Sequence, residues 1–74
     1  MSSRSKGSNE QRTAKKALAE VGGTVEAPNW SGVREQLRLQ QMNTANVEAT
    51  FKALKGRGEV KHTVREGSII LTFA

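Results

Sequence analysis

Apolar side chains first return at helical spacing. Ala14, Ala17, Leu18 and Val21 fall at i, i+3, i+4 and i+7, the signature of one buried helix face. The spacing predicts a helix that starts near Ser8 or Asn9, either of which suits an N-cap, with Glu10 well placed in the first turn. Gly22-Gly23 ends it. Thr24-Val25-Glu26-Ala27 is short and β-leaning, and Pro28-Asn29 stops it. A second helix is expected after Ser31 as N-cap, with Val33 and Leu37 apolar and Leu39 on its edge. A third runs from Ala45 to about Leu54, capped by Thr44 or Asn43, with Val47, Phe51 and Leu54 at i, i+4 and i+7. Gly56 and Gly58 close it.

The period then changes from about 3.6 to 2. From Glu59 to Val64 the residues Val60, His62 and Val64 alternate with Lys61, Thr63 and Arg65, the second face. Glu66-Gly67-Ser68 is a tight connection, and Ser68 to Phe73 returns with Ile69, Leu71 and Phe73 on one side. The expected order is helix, short strand, helix, helix, strand, turn, strand. Residues 1–9 hold no apolar side chain after Met1; they are expected to form a disordered basic arm, with a folded domain over 10–74.

Length permits one domain with a thin core. The 74 residues include no cysteine and a single histidine, His62, which argues against a disulfide framework, a zinc site or any other cofactor. The seven acidic side chains are all glutamates, scattered over helices and turns, and no nucleophile–base grouping or phosphate loop is visible; an enzyme is not expected. No stretch has the length of a membrane span, and the N-terminal residues do not resemble a secretion signal. A cytoplasmic protein is expected, associated with a nucleoid or, in a eukaryote, nuclear.

The net charge of +5 is unevenly placed. Residues 1–16 carry Arg4, Lys6, Arg12, Lys15 and Lys16 against Glu10, a net +4; residues 17–51 are −2. Residues 52–65 carry Lys52, Lys55, Arg57, Lys61 and Arg65 against Glu59, again +4. Two basic blocks around a mildly acidic middle suit a binder of phosphate backbones. The plainer alternative is a set of solvated charges on a small soluble domain.

From Ala17 to Ala74 the chain resembles the winged helix-turn-helix superfamily. The carrying segments are Leu18 to Gly23, Val33 to Leu39 and Asn43 to Val60, with Leu54, Gly58 and Val60 leading into a first wing strand and Glu66-Gly67 at the hairpin tip. These are generic apolar and glycine positions, so they indicate a superfamily only. The resemblance implies an α+β fold of three helices, a short strand after the first helix and a C-terminal hairpin wing. It also implies double-stranded DNA as the partner, as in a transcriptional, plasmid or phage regulator or an architectural protein, with the third helix in the major groove. Some members bind RNA or dock proteins, and those two alternatives stay open.

On the third helix, Ala45, Ala49 and Lys52 lie opposite the apolar face, flanked by Thr44, Asn46, Glu48, Ala53 and Lys55. Asn46 is suited to adenine, and alanines admit close approach or thymine methyl contact; the bland reading is a solvated face of good helix formers. Lys61, Thr63 and Arg65 suit phosphate contact, or simply guard an edge strand against aggregation. The approach to the wing adds Lys52, Lys55 and Arg57, and the arm adds Arg4, Lys6, Arg12, Lys15 and Lys16. Gln40, Gln41 and Asn43 suit phosphates or an ordinary polar turn. Trp30 is expected as a core anchor between the first strand and second helix, and His62 as a half-buried structural residue. Oligomeric state, monomer or dimer on DNA, is left open.

Overall fold

A computed structural model describes residues 2–74, with side chains from Asn9 onward. It has three helices and a three-stranded antiparallel sheet: α1 (Ser2–Glu20), β1 (Thr24–Ala27), α2 (Trp30–Gln36), α3 (Thr44–Gly56), β2 (Val60–Arg65) and β3 (Ser68–Phe73). The class is α+β, as expected. The sheet order is β1-β3-β2, so β3 is central.

Each helix ends in the same device. Beyond α1, Gly23 N–H donates to the Leu18 carbonyl and Gly22 N–H to that of Ala19, with Gly22 at φ +95°. Beyond α3, Glu59 donates to Leu54 and Gly58, at φ +77°, to Lys55. This paired closure satisfies the terminal carbonyls and needs a left-handed residue, normally glycine. Beyond α2 the pattern recurs, with Leu39 donating to Arg34 and Arg38 to Glu35, but the left-handed residue is Arg38, at φ +56°.

The N-terminal caps are asparagines. Asn29 caps α2 by accepting from Gly32 N–H, and Asn43 caps α3 by accepting from Asn46 N–H, both at 2.8 Å. The expected cap Ser31 therefore lies inside α2, two residues too late; Asn29 competes successfully because its carbonyl also accepts the first helical bond, from Val33. The backbone of α1 is helical from Ser2, six or seven residues before the expected start.

The core lies between the helices and one sheet face. Ala14, Ala17 and Leu18 come from α1, Val33 from α2 and Leu37 from its C-cap, Val47, Phe51 and Leu54 from α3, with Val25, Ala27, Val60, Ile69 and Leu71 from the sheet. Leu39 and Met42, in the connection between α2 and α3, are buried as well. The closure after α2 throws Leu39 back onto the core, as the apolar residue following such a motif commonly does. Val21, expected on the buried face of α1, is 42% exposed; it sits past the last helical residue, where the chain leaves the face.

Register fixes the two sheet faces. Val25 and Ala27 pair with Leu71 and Ile69, which pair in turn with His62 and Val64. These residues lie on the face on which the helices pack, because alternate residues share a face; Val64, near the hairpin tip, is 63% exposed there. On the outer face Thr24, Thr72 and Lys61 form one row and Glu26, Ile70 and Thr63 the next, with Arg65 opposite Ser68. The Thr24 and Thr72 hydroxyls hydrogen-bond at 2.9 Å across the outer row. The hairpin turns on two residues, Glu66 at φ +53° and Gly67 at φ +81°, the positive-φ pair that matches strand twist. Among the described residues no helix is long and apolar enough to cross a membrane.

Candidate nucleic-acid interface

Helix α3 is positioned from both ends and from behind. Its inner side buries Val47, Thr50, Phe51 and Leu54, and the connection before it is clamped by Arg34. Arg34 Nε donates to the Met42 carbonyl at 2.5 Å and Nη2 to that of Gln40 at 3.2 Å. With its own carbonyl accepting from Leu39, Arg34 ties three points of one turn. The spacing of apolar residues gives no hint of this role.

The outer side of α3 exposes Ala45, Asn46, Ala49, Lys52, Ala53 and Lys55, while Thr44 is half-buried in the first turn. Lys52 is paired to Glu48 at 2.7 Å along the helix, a surface contact of small energetic weight. On one flank Asn46, Ala49 and Ala53 share a shallow cleft with Glu10 and Gln11 of α1. An acidic residue thus stands beside the residue best suited to a base edge.

The other flank faces β2. Trp30 stacks on Phe51 at 6.3 Å between ring centroids and meets His62 edge-on at 5.3 Å. Trp30 is half-buried and packs against the core, with Phe51 of α3 and His62 of β2 as its ring partners. His62 Nε2 is buried without a hydrogen-bond partner among the described residues. Burial, reinforced by the Lys55 and Lys52 charges, pushes the His62 imidazole below the usual histidine range, with Glu48 opposing.

The cations of α3 and of the hairpin are therefore on different faces. His62 turns toward the helices beside Lys52 and Lys55, whereas Lys61, Thr63 and Arg65 share the exposed outer face. Proximity along the chain does not merge them into one patch.

Arg57 and Lys15 come together with a residue that the sequence marks only as a charge. Glu59 receives Lys15 Nζ on one oxygen and Arg57 Nε, at 3.0 Å, on the other. The Lys15 hydrogen bond is the main cause holding the Glu59 carboxyl below its ordinary range; burial opposes, and the charges of Lys15 and Arg57 add to it. Arg57 Nη1 also donates to Gln11 Oε1 at 3.0 Å. Arg12 is exposed and lines the same cleft. Lys16, one residue round the helix, instead lines a cleft with Arg38 and Gln41 near the end of α2. Arg38 belongs among the surface cations and its signal, a lone Arg after the second helix, was available in the sequence. Arg4 and Lys6 lie outside the residues whose side chains the structure describes.

Comparison with protein-family models, curated proteins and solved structures finds no match.

Proposed function

We propose that the chain is a winged helix-turn-helix domain that binds double-stranded nucleic acid, DNA in the first place. The observation that carries this reading is the element order combined with the sheet order β1-β3-β2. That arrangement sets α3 after a tightly clamped turn, with an exposed outer side, next to a two-stranded hairpin with a cationic outer face. In this reading α3 enters a major groove with Asn46 and Ala49 toward base edges, the hairpin tip with Arg65 meets phosphates, and the N-terminal part of α1 follows the duplex.

Arg12, Lys16, Lys55, Lys61 and Arg65 are exposed and take part in no ion pair among the described residues. Each phosphate neutralised contributes about −0.9 to the slope of log affinity against log salt, so three to five contacts give a slope of roughly −3 to −5. The test is fluorescence anisotropy of the protein with a mixed-sequence DNA duplex of about 20–30 base pairs across a salt series. Saturable binding with that slope supports the reading. Tighter binding to structured RNA moves it to RNA, and no binding of either at low salt refutes it.

A second reading is favoured by one feature. The outer side of α3 is a strip of alanine, Ala45, Ala49 and Ala53, with Glu10 at its margin. Small side chains there, with the neighbouring Lys52 paired to Glu48, suit close approach of another helix. Self-association or partner binding lost on Ala49→Arg, with no nucleic-acid binding, would mark the domain as a protein-docking module.

A further inference from the structure

The cleft at the C-terminal end of α3 holds more positive charge than its internal ion pairs consume. Gln11, Arg12, Lys15, Arg57 and Glu59 line an opening of about 230 Å³. Three cations face one carboxylate, a net formal charge of +2. Glu59 occupies one donor of Lys15 and the Nε of Arg57. Gln11 accepts from Arg57 through its oxygen, so its amide NH₂ remains a donor. Arg57 Nη2, two Lys15 protons and the guanidinium fork of Arg12 are likewise not used in any hydrogen bond among the described residues.

We propose that this cleft is a binding site for a phosphate oxyanion, with Arg12 and Arg57 as the charged fork, Lys15 as the second cation and Gln11 as a neutral donor. Its members come from α1 and from the chain just after α3, two segments that only the fold joins. Glu59 acts here as a brace. It cross-links Lys15 to Arg57 and so orders two long side chains before any ligand arrives, which lowers the rotamer entropy lost on binding. Guanidinium groups match phosphate oxygens in pairs of parallel hydrogen bonds, and a +2 cleft tolerates a mono- or dianion alongside the Glu59 carboxylate.

Two sources share this chemistry, a backbone phosphodiester and a free phosphate. The first rests on the nucleic-acid reading above; the second does not. The experiment has two arms on the full chain, wild type and Arg12→Gln. Arg12 is exposed and makes no ion pair among the described residues, so its loss leaves the fold intact, checked by an unchanged melting temperature. The first arm titrates inorganic phosphate against chloride at constant ionic strength and follows the Arg57 Nε–H and Gln11 side-chain resonances by NMR. The second measures the salt slope of duplex binding.

Saturable phosphate-specific shifts at those two groups, weakened at least several-fold by R12Q, are the expected result. If R12Q also lowers the duplex slope by about 0.9, the site takes a backbone phosphate. If the shifts saturate while the duplex fails to bind or keeps its slope, the site takes a free phosphate and stands without the nucleic-acid reading. Shifts no different from chloride, with a slope unaltered by R12Q, overturn the proposal even if the duplex binds well.

Discussion

Replacing Arg34 with methionine tests whether the turn before α3 is held by hydrogen bonds or by packing alone. Methionine keeps a long, flexible apolar stem but removes both donors. Arg34 gives Nε to Met42 and Nη2 to Gln40, and it is half-buried. A hydrogen bond from a charged donor is worth about 1.5–3 kcal/mol. The 3.2 Å bond to Gln40 is longer and exposed, so most of the effect belongs to Met42 and the sum is about 2 kcal/mol. Removing a cation from the last turn of α2 adds a few tenths more. For a domain of this size each kcal/mol moves the melting temperature by roughly 4–8 °C, so R34M should melt roughly 8–16 °C lower. Circular-dichroism melts read this directly. Arg34→Lys keeps the charge without the fork and should recover only part of the loss. A melting temperature for R34M within about 2 °C of wild type would refute the reasoning, as would full rescue by lysine. Thermal melting of a small domain resolves an effect of this size.

Three further outcomes are expected. Gly58→Ala, which forces a Cβ into φ +77° with open space around it, should cost about 1 kcal/mol, whereas Arg38→Gly relieves the same strain after α2 and should gain about 0.5 kcal/mol; urea midpoints of opposite sign relative to wild type check the pair. His62 is held below its ordinary value of 6.5 by burial and by Lys55 and Lys52. The unfolded chain therefore takes up a proton before the native one, so stability is fully present above pH 6.5 and falls as the pH drops below it. Urea midpoints at about pH 7.5 and 5.5 should differ in wild type and converge in His62→Gln, because the lowered Glu59 carboxyl titrates below both.

The strands and the inner helix faces were legible because each depends on a local period. Val47, Phe51 and Leu54 mark α3 by spacing alone, and β1 and β3 match their expected bounds. Alternation also separated Lys61, Thr63 and Arg65 from the buried face of β2. The caps were half legible: Asn43 was one of two candidates, while Ser31 was expected to cap α2 and Asn29 does so instead. What escaped depends on residues distant in sequence or on left-handed backbone. Leu39 and Met42 follow no helical period, yet both are buried: Arg38 turns the chain left-handed just before Leu39, and Met42 sits in the turn that Arg34 clamps. Lys15 and Glu59 are 44 residues apart, and no spacing rule joins them. Trp30 was rightly an apolar anchor, but its partners Phe51 and His62 are set by the tertiary packing of α3 and β2.

The central position of β3 also orders the assembly of the sheet. β2 and β3 are joined by two residues and can zip locally, but β1 meets β3 only through pairs such as Thr24 and Thr72, 48 positions apart. Closing so long a loop is entropically slow and is rewarded only after the hairpin exists to receive the strand. During synthesis β1 therefore leaves the ribosome with no strand to join, its polar backbone groups open, until β3 follows. The expected kinetic trace is asymmetric: Val25→Ala in β1 accelerates unfolding and leaves the folding rate almost untouched, whereas Ile69→Ala in β3 slows folding.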